Sequence, residues 1–405
     1  MTPLRVAFFT DSFHEVNGVA LTSREFVAHA RRRQLPLFSV HAGPRTCASQ
    51  DGSVTTWEFK RGRVRWNLER DLAIDILFLR YRRQLMRLLQ GFKPDLIHIT
   101  GPGDAGILGA LASYELKVPF VASWHTNLHE FAERRIERAL ARWPERTRST
   151  VARWMLGWSL DRCMQFYGFA RATFAPNPEL VGLLETRTHR PCHLMQRGID
   201  AALFSPSRRA RTDSKFTIGY VGRLSPEKNV RLFVPLERAL IAAGLSDFQF
   251  LIVGDGSERL YLAGTLDRAR LPGVFRGEAL AEAYSSMDAL VFPSETDTFG
   301  NVVLEAMASG VVPIVSGAGG PRYLVEDGKT GYVARDLDQY VRALVELESK
   351  PMERRLMAQA ARASAQWYSW NAVFDRVHEQ YRSVLRSVNH ANANERPFEP
   401  VGVAY

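Results

Sequence analysis

The sequence predicts an α/β protein built of two consecutive doubly wound, Rossmann-like parallel-sheet domains. Three observations lead to this. Short Val/Ile/Phe-rich runs alternate with helical stretches in both halves of the chain, as expected for strands covered on both faces by crossover helices. A break near 192–212 separates two such series: Arg197-Gly198-Ile199-Asp200 and Pro206 lead there into the basic stretch Arg208–Arg211. Finally, 405 residues leave room for two or three domains, at roughly 100–200 residues each.

Each element has its own signal. Arg5–Thr10 is an apolar strand, and a helix beginning at Gly18 carries Leu21–Arg32. Pro36–His41 is a strand, and Leu96–Thr100 is another, preceded by the turn Lys93-Pro94-Asp95. Between them, residues 76–92 read as a helix with Arg80, Arg83 and Arg87 on one face. Gly106–Tyr114 is helical and Pro119–Trp124 is a strand. The second half repeats the alternation. Phe216–Val221, Phe248–Val253, Val274–Arg276, Ala289–Phe292 and Val312–Ser316 are strands; Val230–Ala243, Ala281–Ser286 and Val302–Ala308 are helices. We therefore expect one domain over 1–200, a second over 201–370, a terminal helix over 371–388 and an Asn/Pro-rich tail over 389–405.

With 46% hydrophobic and 24% charged residues and a mean hydropathy of −0.18, the composition excludes wholesale disorder, collagen and coiled coil. No uncharged apolar run approaches the ~18 residues of a spanning helix. The N-terminal apolar stretch Val6–Thr10 is too short for a signal peptide. Cys47, Cys163 and Cys192 fit neither a disulfide framework nor a zinc pattern and suggest a reducing cytosol. The expected location is therefore the cytoplasm.

Charge is informative. The net charge of +10 falls entirely in residues 1–195, which hold 28 Lys+Arg against 18 Asp+Glu; the remainder holds 25 of each. The first half should therefore meet something anionic. Residues 131–164 carry Arg134, Arg135, Arg138, Arg142, Arg146, Arg148, Arg153 and Arg162 interleaved with Trp143, Trp154 and Trp158. Arg with Trp on amphipathic helices suits an anionic membrane surface, at the inner face of the cell membrane. A solvated helix face with i,i+4 pairs is the plainer alternative. No helix-turn-helix, RNP or zinc-finger pattern supports a nucleic acid partner.

In doubly wound sheets, ligands bind beyond the carboxyl ends of the strands. After the first strand, Asn17-Gly18 can bring backbone amides to an anion, or form an ordinary βα turn. After Phe216–Val221, the loop Gly222–Asn229 holds Arg223 and Lys228, two cations placed to neutralise a diphosphate unless they are plain surface charge. After Ala289–Phe292 comes Pro293–Gly310. Here Asp297 or Thr298 can cap a helix whose free amides begin near Gly300. Glu305 lies among Val302, Val303, Leu304, Ala306 and Met307. A carboxylate in such company needs a partner, either a ligand or a structural ion pair.

Together, the Gly222–Asn229 loop, the Asp297–Glu305 segment, Gly317-Ala318-Gly319-Gly320-Pro321 and Glu326-Asp327-Gly328-Lys329-Thr330-Gly331 closely resemble the retaining glycosyltransferases of the GT-B fold, family GT4. Asn17-Gly18-Val19 and Ser123-Trp124-His125-Thr126 match as well, so the resemblance covers roughly 5–385. It implies an acceptor-binding first domain, a nucleotide-sugar-binding second domain, a shared cleft and a terminal helix crossing back to the first domain. It also implies a hexose, mannose or glucose, moving from a GDP- or UDP-sugar to an acceptor hydroxyl, most simply on a membrane lipid or glycolipid.

By the same resemblance, Arg223 and Lys228 hold the diphosphate, and Glu305 accepts from the ribose hydroxyls. Asp297 contacts the donor sugar where the family has glutamate. Phe299, Gly300, Asn301 and Val302 line the nucleotide-sugar site with backbone amides. His125, otherwise a core histidine, sits over the donor sugar. Gly18 admits the diphosphate, and Asn17 and Gly103 lie on the acceptor side. No cofactor and no metal is expected, because the lone Asp-x-Asp, Asp336-Leu337-Asp338, reads as a helix cap. Two other classes compete. One is a non-catalytic sugar-nucleotide- or membrane-binding protein. The other is a NAD-dependent oxidoreductase using Gly101-Pro102-Gly103-Asp104-Ala105-Gly106, which lacks the acid expected about 20 residues on.

Overall fold

The computed structural model describes residues 3–15, 18–62, 66–69, 72–125, 157 and 160–394. The Arg/Trp-rich stretch 131–158, Gly157 apart, and Asn17 lie outside the described residues. The chain divides into two compact units. The first comprises Met1–Ala175, Glu179–Met195 and Phe374–Tyr405; the second comprises Pro176–Pro178 and Gln196–Val373.

The first unit is built on an eight-stranded sheet in the order β10-β9-β8-β7-β1-β2-β4-β3. Its strands are β1 (Val6–Thr10), β2 (Leu37–Gly43), β3 (Cys47–Asp51), β4 (Val54–Lys60), β7 (Leu96–Ile99), β8 (Phe120–Ser123), β9 (Thr173–Ala175) and β10 (Cys192–Leu194). β5 (Trp66–Glu69) and β6 (Leu72–Ile74) form a separate antiparallel pair. All eight strands run parallel except the edge strand β3, which folds back on β4. β1 lies between β2 and β7, so strand order reverses there. Val6, Ala7, Phe8, Phe9 and Thr10 are all buried, which requires cover on both faces. The helices are α1 (Gly18–Arg32), α2 (Arg82–Phe92), α3 (Asp104–Leu116) and α4 (Pro178–Thr188).

The expected helix over 76–92 is in fact two pieces. A 3-10 segment covers Ile76–Tyr81, capped by Asp75 accepting from the Leu77 amide at 3.0 Å, and α2 follows. The expected arginine face is broken as well, because Arg80 turns to Asp75 at 2.9 Å.

The second unit has a six-stranded parallel sheet, β13-β12-β11-β14-β15-β16. Its strands are β11 (Phe216–Val221), β12 (Phe248–Val253), β13 (Ala269–Gly273), β14 (Ala289–Phe292), β15 (Val312–Ser316) and β16 (Tyr332–Ala334). Its helices are α5 (Phe233–Ala242), α6 (Arg259–Thr265), α7 (Gly277–Ser285), α8 (Asn301–Ala308), α9 (Leu337–Ser349) and α10 (Pro351–Gln366). β13 replaces the strand expected at Val274–Arg276. The Glu237 carboxylate accepts from the Asp267 and Arg268 amides at 3.2 and 2.8 Å and fixes the start of the strand earlier. Asp336 caps α9, accepting from the Gln339 amide at 2.9 Å, as its sequence position suggests.

The last helix, α11 (Trp370–Asn394), begins in the second unit, and from Phe374 onward it belongs to the first. Phe374 meets Phe26 edge-on at 5.1 Å, and the buried Tyr381 hydroxyl bonds His98 Nδ1, whose Nε2 bonds Ser123. Among the described residues no helix is long and apolar enough to cross a membrane.

Candidate functional site

In the second unit strand order reverses between β11 and β14, because β11 lies between β12 and β14. The loops leaving these two strands therefore diverge, which opens a crevice at the carboxyl edge of the sheet. Both loops are locked by backbone packing. Gly254 sits where a Cβ would stand 1.9 Å from the Gly222 carbonyl oxygen. Leu224 donates to the Asp255 carbonyl at 2.9 Å, tying the loop after β11 to the loop after β12. On the other side, a Cβ on Gly320 would lie 2.0 Å from the Thr298 carbonyl oxygen, and the Gly320 amide donates to the Asp297 carbonyl at 2.6 Å. The Gly317–Pro321 loop thus braces the segment after β14.

Within this frame, residues far apart in sequence meet. Lys228 Nζ donates to both Asp297 carboxylate oxygens, at 2.8 and 2.7 Å. The two side chains keep 21% and 25% exposure, so the pair is open to a ligand. Arg223, on the same loop, is exposed, and its carbonyl accepts from the Tyr220 hydroxyl at 2.9 Å.

Neither Asp297 nor Thr298 caps α8. Gly300 takes that position at φ +94°, because the Asp297 carboxylate is drawn to Lys228. With no side-chain cap, the first amides of α8, at Asn301 and Val302, have no acceptor within the helix and face its N-terminal end. Phe299 is buried in front of them. One turn on, Glu305 is partly buried. Loss of water pushes its carboxyl up to about 7, and the Tyr284 hydroxyl, donating to Oε2 at 2.7 Å, pulls it back down. A carboxylate held this way can accept hydroxyls, while the helix amides ahead of it and the cations of the Gly222–Asn229 loop can take an anion.

Two contributors escape sequence reasoning. Tyr284 stands between Ala283 and Ser285 on α7 and reads as core; only its hydroxyl gives it a role. Asn177, in the short segment Pro176–Pro178 that counts with the second unit, donates Nδ2 to the Thr298 carbonyl at 2.7 Å. A buried asparagine in a Pro-Asn-Pro turn carries no signal of such a partner.

The remaining expected site residues belong to the first unit. His125 follows β8 and is 9% exposed, next to the buried Trp124, which packs on Tyr167 at 5.1 Å. Gly18 opens α1. Gly103 is the N-cap of α3, and a Cβ there would strike the Asp11 carboxylate at 2.4 Å. Asp11 Oδ1 accepts from the Ala105 amide at 2.7 Å, so it is Asp11 that satisfies this helix end.

Comparison with known proteins places this geometry. Residues 215–350 match the family model described as glycosyl transferases group 1, and residues 16–203 match that of glycosyltransferase family 4. The chain is 36% identical over 312 residues to a GDP-mannose-dependent alpha-mannosyltransferase of Mycolicibacterium smegmatis, covering 75% of this chain and 77% of that one. Among solved structures, sucrose-phosphate synthase of Thermosynechococcus elongatus superposes with a TM-score of 0.72 at 19% identity, over 95% of this chain and all of that one. Anabaena HepE in complex with UDP gives 0.67 at 18% identity, over 94% of this chain and all of that one. The chain belongs to the group 1 glycosyltransferases, family 4, and is a hexosyltransferase of the GT-B fold.

Proposed function

We propose that the hexose is mannose, carried by GDP, and that it passes with retention of configuration to a hydroxyl of a membrane lipid or glycolipid. The observation that carries this reading is the open Lys228–Asp297 pair beside the uncapped start of α8 and the Tyr284-held Glu305. In the reaction, the bond between the anomeric carbon and the β-phosphate oxygen breaks. A bond to the acceptor oxygen forms, and the acceptor proton leaves on the departing diphosphate. The requirement is stabilisation of charge on the leaving group, and fixed cations and amides supply it without reorganisation.

We assign Lys228 and Arg223 to the diphosphate, together with the backbone from Phe299 to Val302. Glu305 takes the ribose hydroxyls, and Asp297 contacts the sugar once the ligand displaces Lys228 from it. His125 acts at the donor sugar, Gly18 at the diphosphate, and Asn17 and Gly103 on the acceptor side. The donor choice draws support from the relative named for GDP-mannose, and the acceptor choice from the positive charge concentrated in residues 1–195. This reading routes no step through a metal, so activity should persist in chelator.

A thermal-shift screen against GDP-mannose, UDP-glucose and ADP-glucose tests the donor, since a bound donor raises the melting temperature. GDP-mannose should give the largest rise; stabilisation by a UDP-sugar alone sinks the mannose assignment. Co-sedimentation with vesicles tests the surface: binding should grow with anionic lipid content, and indifference to it argues for a soluble acceptor.

A further inference from the structure

We propose that His14, His41 and Glu58 form a binding site for one divalent transition-metal ion of the zinc class, in the first unit. The strand register builds it. His41 on β2 pairs with Glu58 on β4, and Cys47 on β3 pairs with the same Glu58. Residues paired in this way project from the same face of a sheet. His14 arrives from the loop after β1, whose last residue Thr10 pairs with His41. The neighbouring Phe13 stacks flat on the His41 ring at 4.1 Å and holds that loop over the strands.

The result is a His/His/Glu set whose ligand atoms all lie within 4.8 Å of one another. His14 Nε2 is 2.9 Å and His41 Nε2 3.5 Å from the same oxygen, Glu58 Oε2. Ligands bound at about 2.0–2.2 Å in a tetrahedron stand about 3.4 Å apart, so small side-chain movements suffice to enclose an ion.

Two further observations point to a ligand. His41 is 2% exposed, and its Nε2, the nitrogen turned to Glu58, makes only a contact that is long for a hydrogen bond. Buried imidazole nitrogens are ordinarily satisfied, so this Nε2 is only weakly served by the carboxylate alone. Glu58, in turn, is already oriented: Oε1 accepts from the Arg45 amide at 2.8 Å, which leaves Oε2 facing both histidines. A cavity of about 210 Å³ lined by His41, Glu58, Phe13, Cys47 and Arg31 adjoins the set and can admit the ion and a water in the fourth position. Arg31 is engaged with Asp51 at 3.1 Å, which tempers its repulsion of a cation. Two imidazoles, one carboxylate and an open position suit zinc-class ions rather than magnesium or calcium, which favour all-oxygen shells. Bound there, the ion would fasten the loop that leads into α1.

The test uses the full-length, tag-free chain stripped with chelator and desalted, titrated with Zn²⁺ by calorimetry and with Co²⁺ by visible absorption. We expect one Zn²⁺ per chain, the absorption of tetrahedral cobalt and a higher melting temperature. His14→Ala should weaken binding about tenfold or more. Its side chain is 48% exposed, so the metal-free melting temperature should not change. Glu58→Gln should also weaken binding. Absence of saturable binding, or wild-type affinity in both variants, overturns the site, the latter marking adventitious surface binding.

Discussion

The two units share a parallel, doubly wound plan but secure their strand-end loops by different means. In the second unit the loops after β11, β12 and β14 pack backbone on backbone, through Gly254 against Gly222 and Gly320 against Thr298. Backbone carries most of this fastening, with Asn177 Nδ2 on the Thr298 carbonyl beside it, and Lys228, Asp297 and Glu305 keep surface open to a ligand. In the first unit backbone packs as tightly at Gly106, where a Cβ would stand 1.7 Å from the Gly101 carbonyl oxygen, but titratable side chains add to the fastening. Asp11 accepts from the Ala105 amide and Asp104 from the Asp75 amide, while Arg61 donates to the Asp11 carbonyl at 2.7 Å. A loop held by backbone keeps its shape as pH changes and as its side chains switch partners. A loop held by carboxylates inherits their titration.

The largest expected effect tests whether the freed side chains act on the donor. Lys228→Ala should lower kcat/KM by about a thousandfold, the scale of losing a preorganised charge partner for a developing anion. The melting temperature of the ligand-free protein should barely move, since a pair with a quarter of its surface open contributes little to stability. Steady-state kinetics with GDP-mannose and calorimetry on the apo protein separate the two. A variant with near-normal turnover would leave the second unit's open pair without a function.

The next pair of substitutions tests the fastening itself. Gly320→Ala forces a Cβ to 2.0 Å from a backbone oxygen, whereas Gly103→Ala in the first unit meets the Asp11 side chain at 2.4 Å. Backbone cannot yield as a carboxylate can. Gly320→Ala should therefore cost about 3 kcal/mol, the upper part of the range for overpacking, and Gly103→Ala about 1 kcal/mol. Chemical denaturation measures both. Equal costs would break the distinction between the units.

How far the sequence foretold this contrast depends on the kind of residue. The strands β11 and β14 are legible because strands buried on both faces read as unbroken apolar runs, and the loops that follow them are then found by position alone. Arg223, Lys228 and Asp297 stand out as charges in the loops after such runs, and Glu305 as a lone carboxylate inside an apolar helix. Their mutual arrangement is not legible. Nothing local ties Lys228 to Asp297, 69 residues away, and so the cap of α8 is expected at Asp297 or Thr298 when Gly300 holds it. Tyr284 is hidden because a buried aromatic between Ala283 and Ser285 looks like packing. The β3–β4 hairpin is missed because β3 is exposed along its whole length and offers no apolar periodicity.

A pH series then sharpens the comparison within the site. Glu305 must be ionised to accept from two ribose hydroxyls, and burial pushes its carboxyl up to about 7. The KM for the donor should therefore rise as pH falls below 7, by at most tenfold per pH unit, with kcat less affected. Glu305→Gln should show a higher but flat KM across the same range. A wild-type KM that does not vary with pH would detach Glu305 from the nucleotide.

The last expected effect lies in the first unit and is one of stability alone. Burial raises the Asp11 carboxyl from 3.8 to about 6, against the opposing pull of the Ala105 amide and Arg61. Between those two values the folded chain binds more protons at this group than the unfolded chain does. Stability from Asp11 is thus present below pH 3.8 and is lost as pH rises through 6. Asp11→Asn keeps an oxygen for the Ala105 amide but removes the titration. The variant should be more stable than the wild type above pH 6, and the difference should shrink as pH falls toward 4. Urea denaturation at pH 4.5, 5.5 and 7 reads this directly. If the difference instead grows toward low pH, the carboxylate is fastening the loop in its charged form, and the first unit's loops are held by charge pairing with Arg61 rather than by a buried cap that binds its proton below pH 6.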